Sequence, residues 1–296
     1  MTVKGDRMVT IALDDVSFRL QDFQDFSWLK GLGTVFCVFD QQDSGNLSFG
    51  IKAGRDRLFV KYAGAKTMEY SGNPRDAVER LKRAIRVYQD LGHPELIKLV
   101  HHFEVDNGYV AVFEWFDGEC LHSPVSFPPP AKYTHPDSPY FRFRQLTLEQ
   151  RLKSLDRIFQ FHVHVEALNY VAIDFYDGSV LYDFSTSATK ICDIDFYEKK
   201  PFINTMGRLW GSSRFMSPEE FSLGAEIDGR TNVFNMGAMA FGLLGGELNR
   251  SILQWEAGID LYNVACRAVE KDRTKRYSSV GEFYSSWKRA VEGGAV

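Results

Sequence analysis

The sequence predicts an α+β fold in two parts, an antiparallel sheet carrying one helix followed by a larger, mainly helical region. Three observations predict it. Short β-branched and aromatic runs crowd the first 120 residues, a single amphipathic helix interrupts them, and helical periodicity takes over from Leu148 onward. With 296 residues and 44% hydrophobic content, the chain can bury a sizeable core.

In the first part, Thr34-Val-Phe-Cys-Val-Phe39, Leu47-Ser-Phe-Gly-Ile51 and Leu58-Phe-Val-Lys-Tyr62 read as three strands. They are separated by turn material at 40–46 and 53–56. Asn73-Pro74 supplies an N-cap and first-turn pair for a helix that stacks Ala77, Leu81, Ala84, Ile85 and Tyr88 on one face. Two more strand-like runs, 97–103 and 109–115, flank Asp106-Asn-Gly108. The 122–140 stretch holds six of the ten prolines and reads as a loop ordered by contact, or a linker. The expected division is an N-terminal extension over 1–30 packed on a β-rich lobe over 31–117, then a helical lobe over 118–296.

A net charge of −4 gives no sequence-wide positive field to draw nucleic acid or anionic lipid. No segment approaches 18 uncharged apolar residues, and the N-terminus lacks an apolar signal core, so a cytoplasmic location off the membrane is expected. The four cysteines are isolated from one another and make no C-x-x-C, so they are expected as reduced, mostly buried thiols rather than zinc ligands. The 24 phenylalanines are scattered, which suits a core better than a stacking platform.

Asp174-Phe-Tyr-Asp-Gly-Ser179-Val-Leu is followed by Lys190-Ile-Cys-Asp193-Ile-Asp195, then Gly211-Ser-Ser-Arg-Phe-Met-Ser-Pro-Glu219. Further on come Ile227-Asp-Gly-Arg-Thr-Asn232-Val-Phe-Asn-Met-Gly237 and Lys271-Asp-Arg-Thr-Lys-Arg276. In order and spacing this series resembles the catalytic loop, metal loop, A-P-E segment, following helix start and terminal arginine of eukaryotic-type Ser/Thr protein kinases. The resemblance implies a bilobal kinase-like fold and transfer of the γ-phosphate of Mg-ATP to a protein hydroxyl. It makes Asp174 the carboxylate that orients the attacking hydroxyl, and Asp193 the principal Mg²⁺ ligand with Ser179 beside it. Asn232 becomes the brace of the loop, and Arg276 the ion-pair partner of Glu219.

In the first part, Gly31-Leu-Gly33 with Lys52, or the 40–46 turn with Lys61, can be aligned with the family's phosphate loop and strand lysine. Lys61 fits the spacing to His93-Pro94 better. That register makes Ser44 and Gly45 the phosphate-covering turn, with Lys61 as the phosphate ligand. Otherwise Lys61 is a plain solvent-facing strand lysine. Glu114, Phe116 and Glu119 resemble the hinge and the ribose-facing acid. For the helix glutamate that pairs with the lysine, either Glu79 serves or the pair is absent, and Asp195 reads as a solvated side chain in preference to a second metal ligand.

Several positions depart from the family pattern. Ala172-Ile173 stands where it has His-Arg, Tyr176 where it has a lysine, Ser179 where it has asparagine and Asn232 where it has aspartate. Losing the arginine removes the docking point for a segment phosphate, so phosphorylation at Thr205, Ser212 or Ser213 is not expected as the main switch. A slow protein kinase, a pseudokinase scaffold and a small-molecule kinase all remain open. The last draws on Ile194-Asp195-Phe196. The oligomeric state is not in the sequence.

Overall fold

A computed structural model describes residues 8–123 and 125–294. The fold is mixed α+β with several small antiparallel sheets, and it divides into two compact units. One contains the residues up to Gly92 together with Ile97–Phe116. The other contains His93–Leu96 and everything from Asp117 onward.

In the first unit, β1 (Val9–Leu13) and β2 (Val16–Leu20) form a hairpin. β3 (Thr34–Phe39), β4 (Asn46–Ala53) and β5 (Asp56–Ala63) precede α1 (Pro74–Asp90), and β6 (Leu99–Val105) and β7 (Gly108–Glu114) close the unit. Five strands make one sheet in the order β3-β4-β5-β7-β6. The helix starts where Asn73 Oδ1 accepts from Arg75 N at 3.0 Å, with Pro74 in the first turn.

The two sheet faces have separate covers. Val60, Tyr62, Val110 and Val112 bury one face against Phe18, Leu20, Phe26 and Leu29 from the N-terminal hairpin and the turn after it. On the other face Phe113 meets Tyr88 of α1, with ring centroids 4.8 Å apart. Within the described residues 8–30, this stretch packs on the sheet and forms one wall of its core. Ile11, Phe18 and Leu20 alternate inward at period two, so the hairpin buries a continuous apolar stripe.

The second unit opens with β8 (Glu119–Cys120), and the Pro-rich stretch is ordered by α2 (Ala131–Thr134) and α3 (Pro139–Arg144). Next come α4 (Leu148–Ala167), β9 (Tyr170–Val171), β10 (Val180–Asp183), β11 (Ala188–Ile191), β12 (Glu198–Lys199), β13 (Phe202–Ile203) and β14 (Glu226–Ile227). Helices α5 (Gly229–Leu244), α6 (Ile259–Ala268) and α7 (Val280–Gly293) complete it. Helix α4 begins with a capping box in which Thr147 and Gln150 satisfy each other's backbone N–H. Helix α5 is buried along almost its whole length and forms the centre of the unit. Residues 93–96 join this unit because Ile191 N donates to Glu95 O at 2.7 Å and Arg157 pairs with Glu95 at 3.0 Å.

No helix among the described residues is long and apolar enough to cross a membrane. None of the four cysteines forms a disulfide, and all are half-buried.

Candidate functional site

In the first unit, strand alternation sends Val60 and Tyr62 into the hairpin-side core and Lys61 to the α1 face. Lys61 is only 8% exposed, so it is not a plain solvent-facing strand lysine. Its cross-strand neighbour is Ser48, which is fully buried and whose hydroxyl has no hydrogen-bond partner among the described residues. Lys52, the alternative, is exposed near the end of β4 with its amine 5.8 Å from the Phe36 ring.

The 40–45 connection turns at Gly45, whose φ of +75° is left-handed and where a Cβ would stand only 2.6 Å from the Tyr70 ring. The Ser44 carbonyl accepts from Arg80 Nη2 of α1, which fixes the turn from the helix side. Glu79 on the same helix faces solvent, 3.9 Å from Lys82. Glu114 is exposed and bonded to Lys98 at 2.6 Å, and Phe116 is half-buried.

In the second unit, one hairpin gathers the acidic residues. Val180 pairs with Ile191 across β10 and β11, and just beyond it Cys192 N donates to Ser179 O at 2.9 Å. That closure sets Asp193, just past the end of β11, beside the 174–179 loop that leads into β10 at the same open end of the hairpin. Both Asp174 and Asp193 have left-handed backbones, with φ of +62° and +55°. Such conformations cost about 1–3 kcal/mol each and cluster at functional sites.

Two phenols, the half-buried Tyr176 and the buried Tyr197, report the closeness of these carboxylates. Tyr176 has its pKa raised by burial first, then by the charges of Asp193 and Asp174. Tyr197 is raised by burial, then by Asp174, Cys192 and Asp193. Its hydroxyl lies 2.9 Å from His162 Nε2, and burial holds the His162 pKa down at about 4, so the ring is neutral at pH 7.

The surrounding residues brace this loop. Asn232 Oδ1 accepts from Ala172 N at 3.1 Å. Ser179 is 1% exposed, and its hydroxyl donates to the Asp174 carbonyl at 3.5 Å, inside the loop. Ile173 is buried in an apolar cluster with Leu209, Met216 and Ile227. Gly211, with φ of +137°, lies against Asp174, since a Cβ there would sit 3.5 Å from the Asp174 Cα and 3.2 Å from Met216. Glu219 and Arg276, read as partners from the sequence, meet in a two-point ion pair at 2.6 and 3.1 Å.

One expectation is corrected, and one side chain has a partner that the sequence did not show. Asp195 is not solvated; it is 8% exposed and follows the left-handed Asp193, with Ile194 and Tyr197 buried beside it in sequence. Glu119 has both carboxylate oxygens taken by Arg142 Nη1, at 2.8 and 2.9 Å, and the Arg142 guanidinium lies 3.9 Å from the Phe184 ring.

Sequence reasoning missed a buried ionic group next to the loop. Lys132 Nζ lies 2.5 Å from Asp177 Oδ2 and 2.9 Å from Glu247 Oε1, while Arg214 holds the same two acids. The available signal was weak, amounting to an extra acid inside the loop and a lysine in an otherwise Pro-rich stretch. Beside this group lies a groove of about 820 Å³ lined by Tyr133, Tyr140, Arg144, Arg214, Glu247 and Glu256.

Among the described residues, no group of three or more His, Cys, Asp or Glu side chains is placed to hold a metal ion. Magnesium needs no such cage, since it is commonly held by one or two carboxylates with water and substrate phosphate. Asp193, an exposed carboxylate beside the 174–179 loop, is a donor of that type. No family model matches this chain.

Proposed function

We propose that the chain is a phosphotransferase that uses Mg-ATP and acts on a protein hydroxyl. The observation that carries this reading is the hairpin closure that sets Asp193 beside the Asp174 loop, both residues being held in left-handed backbone. Hard oxygen donors of this kind suit Mg²⁺, and a second carboxylate nearby suits orientation of an attacking hydroxyl. Lys61, buried on the α1 face of its sheet, offers a cation of the type that positions phosphate.

In this reading Asp174 accepts a hydrogen bond from the acceptor hydroxyl and takes its proton as that oxygen bonds the γ-phosphorus, while the bond to the bridging oxygen breaks and ADP leaves. Asp193 holds the metal, which when bound supplies charge neutralisation at the transferring phosphate. Lys61 aligns the nucleotide phosphates. Asn232 and Ser179 keep the Asp174 loop in shape through Ala172 N and the Asp174 carbonyl. The 211–219 segment, fixed against Asp174 through Gly211 and Met216, offers the platform for a peptide.

A second reading, a scaffold that binds nucleotide without efficient transfer, is favoured by three placements. Glu119 is engaged by Arg142, Ser179 turns into its own loop, and Glu79 faces Lys82. Thermal-shift titration with ATP, with and without Mg²⁺, tests both readings. We expect a Mg²⁺-dependent rise in Tm that Asp193→Asn removes and Lys61→Ala weakens, with Lys52→Ala neutral. The absence of any shift rejects both readings. A shift without phosphate transfer to protein leaves the scaffold.

A further inference from the structure

We propose that Arg214 is a positioning residue, an electrostatic latch that holds the 211–217 segment to the Asp174 loop without any phosphate. This rests on the phosphotransferase reading for its functional meaning. The guanidinium grips Asp177 in a fork, Nη2 to Oδ1 and Nη1 to Oδ2, both at 2.9 Å. Nη1 also donates to Glu247 Oε1 at 2.7 Å. Asp177 is completely buried and lies three residues after Asp174, so the fork ties the segment directly to the loop.

The other members complete a neutral set of two cations and two anions. Lys132 is 1% exposed and bonds both acids, with its ammonium 4.1 Å from the Tyr140 ring centre. Burial would raise the Asp177 carboxyl, but the Arg214 hydrogen bonds and the Lys132 charge outweigh it, and its pKa lies below the ordinary carboxylate value. Glu247 is held with φ of +54°, an unfavourable conformation for a glutamate, and receives Tyr133 Oη at 2.9 Å. A backbone bent to deliver one carboxylate to a buried cation pair marks a built arrangement.

The latch also determines how the segment responds to added charge. Arg214 Nε donates to Ser212 Oγ at 3.1 Å, so a negative group at residue 212 competes with Asp177 and Glu247 for the guanidinium. Ile173, standing where the resembled family has an arginine, is sealed in the apolar cluster and offers no cation to receive such a charge. Negative charge at 212 therefore weakens the latch and lowers transfer, rather than switching it on.

The test uses full-length protein shown by mass spectrometry to be unphosphorylated, with Arg214→Met, Arg214→Lys and Ser212→Glu. We expect the unphosphorylated protein to be fully active. Arg214→Met and Ser212→Glu should lower kcat about 10- to 100-fold, the scale of a displaced reacting group. KM for ATP and the ATP-induced thermal shift should hold, with Arg214→Lys intermediate. Amide hydrogen exchange should rise over 211–217 in Arg214→Met, a readout that needs no activity. Unchanged exchange there, or a rise in kcat in Ser212→Glu, overturns the latch. Faster exchange in a protein that neither binds ATP nor transfers phosphate keeps the latch and rejects the phosphotransferase reading instead.

Discussion

Arg276 reaches across 57 residues of sequence to hold both carboxylate oxygens of Glu219, at 2.6 and 3.1 Å, with its own side chain fully buried. Its other donors are also used, on the carbonyls of Glu270, Arg230 and Lys271, and Thr231 Oγ1 adds a bond to Glu219 at 2.9 Å. The pair fixes the end of the 211–219 segment to the start of α5 and to the approach to α7. Breaking one side of such a pair leaves a buried uncompensated charge. Arg276→Ala should lower stability by about 3–5 kcal/mol, read by chemical denaturation. A loss below about 1 kcal/mol, the worth of an exposed pair, would rule out this role.

The same pair gives an acid-sensitive term. Burial raises the Glu219 carboxyl, but the Arg276 hydrogen bonds and charge outweigh it and bring its pKa below 4.5. The unfolded state therefore takes up its proton first as pH falls. The contribution is complete above the unfolded value and is lost as pH drops through the folded one. Glu219→Gln should flatten the fall in stability below about pH 4.5. An unchanged acid limb would exclude Glu219 as its source.

Glu220, the next residue, behaves in the opposite way. Complete burial pushes its pKa up to about 7, even though Ser217 N donates to it at 2.6 Å and Asn235 Nδ2 at 3.1 Å. Between the ordinary value of 4.5 and about 7 the folded state holds more protons than the unfolded one. Stability therefore falls as pH rises through that window, by an amount on the order of 3 kcal/mol. Denaturation at pH 5 and at pH 8 should show this slope in the native protein and lose it in Glu220→Gln. An equal slope in both proteins would refute the assignment.

Asn232 accepts the Ala172 amide while its own Nδ2 has no partner among the described residues. Asn232→Ala leaves a buried N–H unpaired and should cost about 1–3 kcal/mol. Asn232→Asp keeps the acceptor but buries a charge in a fully enclosed position. It should therefore destabilise the fold increasingly as pH rises above the carboxyl range, a trend urea titration at pH 5 and pH 8 would reveal or exclude.

Gly211 sits at φ +137° with Met216 and the Asp174 Cα within 3.2 and 3.5 Å of where a Cβ would stand. Gly211→Ala should cost about 1–3 kcal/mol in strain and push the segment off the Asp174 loop. Proteolysis rate at 205–214 should increase. Gly207→Ala, whose added Cβ meets nothing within 4 Å, isolates the backbone strain alone.

Local patterns were enough to place α1 and the five strands of the main sheet in the first unit. β-Branched and aromatic composition, alternation and the intervening turns located β3, β4 and β5, and Asn73-Pro74 marked the start of α1, because these signals act within a few residues. Motif order also pointed to Asp174, Asp193, Asn232 and the Arg276–Glu219 pair. Lys61 was preferred over Lys52 by spacing, but only the two-faced sheet shows that it is buried on the α1 side.

The tertiary structure alone decided the surroundings of the Asp174 loop. Lys132, Asp177, Arg214 and Glu247 come from four separate segments, up to 115 residues apart, and no periodicity links them. Whether a carboxylate faces water or a buried cation depends on which distant chain packs over it. That is why Asp195 read as solvated and why the sequence did not show the Arg142 partner of Glu119 or the buried Lys132 in the 122–140 stretch. In sequence the 174–276 stretch is a string of acids at suggestive spacing. In the folded chain those acids are sorted by desolvation and by partner, with Asp177, Glu219 and Glu247 neutralised by buried cations and Asp174 and Asp193 presented together on strained backbone.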